Sequence, residues 1–337
     1  MIPPLYPYAS FLFSNEMPDN IFFLNSGQSS FLLIVKVLKK RYSDLIFLLP
    51  AYTCSTVVKA LRFAEVEYNF IDLDETLNFD EDDLKEIVND YKSSKVVLVP
   101  TFLFGSKIKN YKDSFPECII IEDRAQSFPD IELNSSDYQF FSFGRGKMVS
   151  ASGGGGVLTN DSEFKKLYST LEVDEIFISS YVLSIAQKII LIYFWGYFKR
   201  FIKEDKEGIA ILTDVKNIKV LKMSNIKIKW LINSIKKAKL GHRISISDLY
   251  IKGINREFQY ELSDSIPYLR FPVKKQIVGD GISTMNYADT LSEAKKLRPN
   301  KNFNIPIILA EYSSMLPTHD LVSIDYAKKI INMVNND

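Results

Sequence analysis

The chain of 337 residues is 46% hydrophobic and 25% charged, with 42 basic against 41 acidic side chains and a net charge of +1. That balance excludes a disordered chain, and it offers no electrostatic case for nucleic-acid binding, because the two signs are interspersed. The two cysteines, Cys54 and Cys118, lie in apolar settings without metal-ligand spacing. No disulfide framework and no metal site are therefore expected, and a reducing, cytoplasmic compartment is.

The opening stretch MIPPLYPYASFLF lacks a basic region and has its apolar run broken by prolines, so it reads as an extended arm rather than a signal peptide. Phe22 to Leu24 read as a short strand. Asn25-Ser26-Gly27-Gln28-Ser29-Ser30 then open a helix from Phe31 to Tyr42. Small polar residues at a helix N-terminus offer free N–H groups to an anion, and a plain N-cap is the other reading. Leu45 to Leu49 form a second strand closed by Pro50, followed by Ala51-Tyr52-Thr53-Cys54. Val66 to Ile71 and Val96 to Pro100 are further strands, with an exposed helix within 75–92 between them. Strands alternating with helices at this pace predict an α/β fold: a mostly parallel sheet with helices on both faces. Such a sheet gathers its ligand-binding loops at the strand C-termini.

Cys118 to Ile121 read as a buried strand that ends in Glu122-Asp123-Arg124-Ala125-Gln126. A carboxylate at that end of a parallel strand is a candidate ligand contact. The aromatic strand Tyr138–Phe141 then runs into Ser142-Phe143-Gly144-Arg145-Gly146-Lys147, and the glycine run Gly153–Gly156 leads into Val157-Leu158. Glycine admits dihedrals and close approaches that other residues resist, and here the expected neighbour is a ligand. A lysine held on such a loop, at a set offset from a hydroxyl, is a candidate Schiff-base residue. Taken alone, it reads first as a phosphate contact or a surface lysine.

The combination of E-D-x-A-Q after one strand, S-F-x-x-x-K after the next and the glycine run resembles the DegT/DnrJ/EryC1/StrS family of sugar aminotransferases. The resemblance runs from about Leu24 to Val334 and is weakest between about 165 and 220. It implies a fold-type-I transferase with a mostly parallel central sheet, a large cofactor-binding domain over 1–245 and a smaller α+β domain over 246–337. It also implies pyridoxal 5'-phosphate as cofactor, a homodimer with a shared active site, an amino donor such as glutamate and a nucleotide-linked keto-sugar as acceptor.

Residue by residue, the resemblance makes Lys147 the covalent anchor and general base/acid, and Asp123 the carboxylate that keeps the cofactor's ring nitrogen protonated. Gln126 would lie near the ring hydroxyl. Gly27, Gln28, Ser29 and Ser142 would hold the phosphate. The family's P-x-x-T motif is matched by Pro50 and Thr53, but Cys54 stands where an aromatic usually stacks on the ring, so either Cys54 or Tyr52 covers the ring face. Arg124 replaces the usual small residue, and it faces either solvent or an anionic part of the substrate. Arg145 is a phosphate or substrate candidate. Asn225 matches an asparagine that reaches the partner subunit's phosphate, and His319 falls in an L-P-x-H ending. Branches that dehydrate sugars carry histidine at the lysine position, so Lys147 favours transamination. The alternatives are a non-catalytic relative that binds a sugar nucleotide or a protein partner, and a different pyridoxal-phosphate reaction on the same scaffold.

In the divergent stretch, residues 181–202 contain an uncharged run from Ile189 to Phe198, too short to span a bilayer. A buried or dimer-interface helix is the first reading, and a helix lying on a membrane surface is the second. Farther on, helices are expected over 223–240, 246–262 and 324–334, with a strand at Leu269–Val273. The pair Asn286-Tyr287 follows Gly281-Ile282 at a spacing that carries no weight.

Overall fold

The computed structural model describes residues 20–129, 135–144, 146–149, 153–175, 217–284 and 287–336. Seven strands make the main sheet: β1 (Ile21–Leu24), β2 (Leu45–Pro50), β3 (Glu67–Ile71), β4 (Lys95–Leu98), β5 (Ile119–Asp123), β6 (Tyr138–Ser142) and β7 (Gly155–Leu158). Their order is β1-β7-β6-β5-β4-β2-β3. The block from β3 to β6 is parallel throughout, and β7 alone runs against its two neighbours. This is the mostly parallel α/β sheet expected from the alternation of elements.

Both faces are covered, so the strands are apolar at consecutive positions. Phe47 and Leu49 of β2 enter one core with Ile119 and Ile121 of β5, while Ile46, Leu48 and Ile120 enter the other. The period of two along a strand makes this division. The first core lies under helices α1 (Gly27–Arg41) and α2 (Ser55–Ala64). The second lies under α3 (Glu81–Asp90) and the single turn α4 (Tyr111–Ser114). Helix α5 (Ser162–Ser169) buries Phe164 beside Phe22.

Helix α6 (Asn225–Lys237) buries Leu231 and Ile235 against Phe23, Phe141 and Phe143, whereas Ile226 stays exposed. A helix was expected over 246–262; it instead forms earlier, as α7 (Leu240–Gly253). It stops because Ile254 leaves helical geometry after Gly253, and the chain then turns so that Gln259 pairs with Val273. Helix α7 runs through position 246, so a separate, C-terminal apolar cluster begins inside a continuous helix. That cluster joins Ile246 and Tyr250 to β8 (Arg270–Val273), β9 (Ser314–Pro317) and the last helices. Those helices are the single turn α9 (Asn304–Ile307) and α10 (Ile324–Asn336), whereas α8 (Ala288–Leu297), before them, sends Leu291 and Ala294 into the first core. Pro272 is tolerated in β8 because this sheet has two strands. Tyr52, Leu73, Leu103 and Phe104 of the large sheet's loops enter the same cluster.

The N-terminal arm 1–13, Arg145 and the aromatic stretch 181–202 lie outside the described residues. No helix among the described residues is long and apolar enough to cross a membrane.

Candidate active site

The parallel strands end together at Pro50, Leu98, Asp123 and Ser142, and a cavity of about 260 Å³ opens there. Its wall includes Gly27, Gln28, Cys54, Asp123, Gln126, Ser142 and Lys147. Seven residues singled out from the sequence therefore meet at one place.

Asp123 is held by backbone on both sides. Its N–H donates to the Pro100 carbonyl at 2.9 Å, and its own carbonyl accepts from Phe102 N–H at 3.0 Å. Oδ1 accepts from Ala125 N–H at 2.9 Å, while no described residue donates to Oδ2. The residue is 4% exposed. Burial pushes its carboxyl up to about 6, against the downward pull of the Ala125 N–H and the Lys147 ammonium. A carboxylate left partly unsatisfied in a cleft is poised for a cationic N–H partner.

The anion end is built by close packing. Ser26 caps α1 by accepting from Ser29 N–H at 3.0 Å, which leaves the N–H groups of Gly27 and Gln28 without an acceptor among the described residues. Ser29 itself is buried, and its hydroxyl donates to the Lys219 carbonyl at 3.0 Å. A Cβ on Gly27 would sit 2.8 Å from Ser142 Cβ. The helix N-terminus thus reaches the Ser142 hydroxyl only because residue 27 has no side chain. The same logic explains the glycine run: a Cβ on Gly155 would lie 2.4 Å from the Ser26 carbonyl carbon. The close approach there is to the backbone of the helix cap, not to a ligand, and Gly154, at φ +112°, takes the chain into it.

Gln28 donates to the Thr56 carbonyl at 3.1 Å and ties the starts of α1 and α2 together. Cys54 lies half-buried in the cavity wall, with Sγ 3.1 Å from Thr56 Oγ1. Tyr52 is fully buried outside the lining, with its ring 4.9 Å from Tyr287 and 6.3 Å from Phe104. Of the two residues considered for covering a cofactor ring, only Cys54 faces the cavity.

Alternation along β5 puts Glu122 and Arg124 on the side opposite Asp123. Arg124 is 1% exposed, pairs with Glu122 at 2.6 Å and lies 4.1 Å over the Phe102 ring. Asn225 is exposed at the first turn of α6, and His319 is exposed just after β9; neither lines the cavity.

Sequence reading passed over Thr101, whose buried hydroxyl has no partner among the described residues and which lines the cavity beyond the end of β4. Its place at a strand C-terminus was the available signal. Tyr287, set aside in the sequence on its spacing from Gly281-Ile282, stands beside the site. Gln126 accepts from Phe104 N–H at 3.0 Å through Oε1 and hydrogen-bonds the Tyr287 hydroxyl. Burial holds that hydroxyl well above its usual range, with Cys54, Tyr52 and Asp123 adding to the effect. The neighbouring Thr290 hydroxyl donates to the Thr53 carbonyl at 3.0 Å, which pins the start of α8 to the loop carrying Cys54.

A larger cavity of about 720 Å³ lies at the other end of the strands, beside Lys95, Asp137 and Asp161. Its charges are already occupied: Arg41 pairs with Asp161, Lys112 pairs with Asp137, and Lys95 donates to the Glu117 carbonyl. The smaller cavity is the one that leaves an acid, a hydroxyl and helix N–H groups open.

Among solved structures, a DegT/DnrJ/EryC1/StrS aminotransferase from Brucella abortus is similar at 16% identity and a TM-score of 0.65, covering 93% of this chain and 84% of that one. Helicobacter pylori PseC, an aminotransferase of pseudoaminic acid biosynthesis, matches at 15% identity and 0.67, covering 93% and 85%. The E. coli GDP-4-keto-6-deoxy-D-mannose-3-dehydratase with bound hydrated pyridoxal phosphate matches at 17% and 0.65, covering 97% and 90%. At these identities the likeness is one of fold. By sequence, residues 20–176, which include every residue lining the cavity, match the DegT/DnrJ/EryC1/StrS aminotransferase family.

Proposed function

We propose that this protein is a pyridoxal-phosphate-dependent aminotransferase that moves an amino group, with glutamate as donor, onto a nucleotide-linked keto-sugar for polysaccharide or glycoconjugate synthesis in the cytoplasm. The observation that carries the reading is the convergence of Asp123, Ser142, the α1 N-terminus and Lys147 on one cavity.

The residues fit the cofactor. The open N–H groups of Gly27 and Gln28, with the Ser142 hydroxyl, suit a phosphate at a helix N-terminus. Asp123 Oδ2 suits a ring N–H cation, and the orphaned Thr101 hydroxyl offers a further polar contact. When bound, the cofactor withdraws electrons from the carbon that carries the amino group. The protein supplies the rest. Asp123 holds a proton on its cationic partner by staying charged once that partner is in place. Lys147, half-buried on its turn, supplies the amine that anchors the cofactor and afterwards accepts and returns a proton at Nζ. The Gln126 amide is fixed at both ends, by Phe104 and Tyr287, so its orientation is set before anything binds.

The structural relatives include a sugar dehydratase, so the reaction must be tested rather than carried over with the fold. Purified protein with added pyridoxal phosphate is expected to show a visible absorbance band, absent from Lys147→Ala, that glutamate bleaches. No band at saturating cofactor would sink the reading. A band that glutamate leaves unchanged would remove the donor and the transamination step.

A further inference from the structure

We propose that Arg243, Arg270 and His319 form an anion subsite for the diphosphate of the nucleotide-linked substrate; the identity of that anion rests on the function proposed above. Three elements bring the residues together. The first turn of α7 carries His242 and Arg243, β8 begins at Arg270, and β9 leads through Thr318 to His319. Arg243 Nη1 donates to the Leu269 carbonyl at 3.1 Å and to Thr318 Oγ1 at 3.0 Å. The Thr318 hydroxyl in turn donates to the Tyr268 carbonyl at 2.7 Å. Arg270 Nη1 donates to Ser283 Oγ at 2.6 Å.

Two guanidiniums and two imidazoles share this corner, and the acid that acts on Arg243 and His319 is the exposed Asp320. Neither arginine forms an ion pair with a described residue, and the Nε and Nη2 groups of both donate to none. Burial, and then repulsion from Arg270, lowers the Arg243 pKa against the pull of Asp320. His319 is lowered in the same way, by burial and by Arg243, Arg270 and His242. Half-buried like charges without a counter-ion cost folding energy, and a bound anion removes that cost. Guanidinium forks match phosphate oxygens in pairs.

The corner adjoins the candidate active site. Leu269 N–H donates to the Phe104 carbonyl at 2.7 Å, and Phe104 N–H donates to Gln126 Oε1 at 3.0 Å. A Cβ on Gly105 would meet Met148, next to Lys147, at 2.7 Å and Leu269 N at 3.3 Å. A substrate with its reacting carbon near Lys147 and its anion some way along the molecule has the layout of a nucleotide-linked sugar.

The test is calorimetric titration of cofactor-saturated protein, in which the cofactor's own phosphate subsite is filled, with inorganic pyrophosphate, UDP, uridine and glutamate. Arg270→Ala and His319→Ala are the variants, because Arg243 also braces Leu269 and Thr318. Pyrophosphate and UDP are expected to bind and uridine not. Arg270→Ala should weaken pyrophosphate binding about tenfold or more, the size of one charge-assisted contact. The ligand also takes up a proton over this range, so the readout is the ratio of wild-type to His319→Ala affinity, which should rise as pH falls from about 7.5 to 5.5, because His319 takes up its proton with the anion. His242 and Asp320 are unchanged in both proteins. A purely structural corner would not move with pH in this way. Absent pyrophosphate binding, equal binding by Arg270→Ala, or a loss confined to glutamate would each overturn the subsite. Pyrophosphate binding that depends on Arg270 supports it whether or not the wild-type protein forms its visible band with cofactor, so failure of the reaction reading shows separately.

Discussion

Asp123 carries a clear electrostatic signature. Its carboxyl titrates near 6 when folded, against 3.8 for the unperturbed group, because burial disfavours the charge. The folded state therefore binds the proton more tightly, so stability falls as pH rises from about 4 to 6 and is level above. A shift of this size corresponds to about 3 kcal/mol at neutral pH. Asp123→Asn is expected to stabilise the cofactor-free protein by about that amount at pH 7.5, with the gain shrinking toward pH 4.5, and to weaken cofactor binding. Urea unfolding at the two pH values checks this, and an equal effect at both would show that burial is not the cause. A carboxylate that destabilises the protein lacking its ligand is what a binding site needs and a structural cap does not.

Between elements, the tie that matters most for the site's walls is Asp83. This residue of α3 has a fully buried side chain and accepts from Arg298 at 2.7 and 2.8 Å, from Lys301 at 2.9 Å and from Asp72 N–H at 2.8 Å. It fastens α3 and the end of β3 to the residue just after α8, and α8 begins at Tyr287 and the Thr290–Thr53 contact. Burial alone would raise the carboxyl, but Arg298, the Asp72 N–H and Lys301 together hold it below its ordinary value. Its contribution is present above the unfolded pKa near 4 and is lost as pH falls through the lower folded value. Arg298→Ala is expected to cost about 3 kcal/mol at neutral pH, since it strands a buried charge, and to move acid unfolding to higher pH. Chemical denaturation and an acid titration measure both, and a cost under about 1 kcal/mol would mean that Lys301 alone suffices.

At the level of the assembly, Asn225 stands exposed at the start of α6 and away from its own chain's cavity, beside the exposed Ile226. In the homodimer that the family resemblance implies, it would serve the partner's cofactor phosphate. Lys147→Ala and Asn225→Ala, each weak alone, are then expected to recover about a quarter of wild-type activity when equal amounts are unfolded and refolded together. Half the dimers would be mixed, each with one intact site. No recovery, with mixed dimers present by mass, would place Asn225 in its own chain's chemistry or in none.

Local sequence carried the sheet and the heart of the cavity. Strand after helix in β2 to β5 is a pattern of period and turn residues, and a parallel sheet made that way puts Asp123, Ser142 and the α1 N-terminus at one edge by topology alone. Lys147 follows because its loop leaves the same edge. What sequence could not decide depends on which residues face each other across long separations. Arg124 was open between solvent and substrate until strand alternation and Glu122 drew it into a buried pair. Cys54 and Tyr52 were equivalent until the C-terminal cluster took Tyr52. The glycine run looked like a ligand approach until Ser26 proved to be the close neighbour. The meeting of Thr101 and Tyr287 with the cavity, and of Arg243 and Arg270 with His319, is invisible to periodicity, because contacts between residues scores of positions apart leave no local pattern and exist only once the two parts of the chain have packed together.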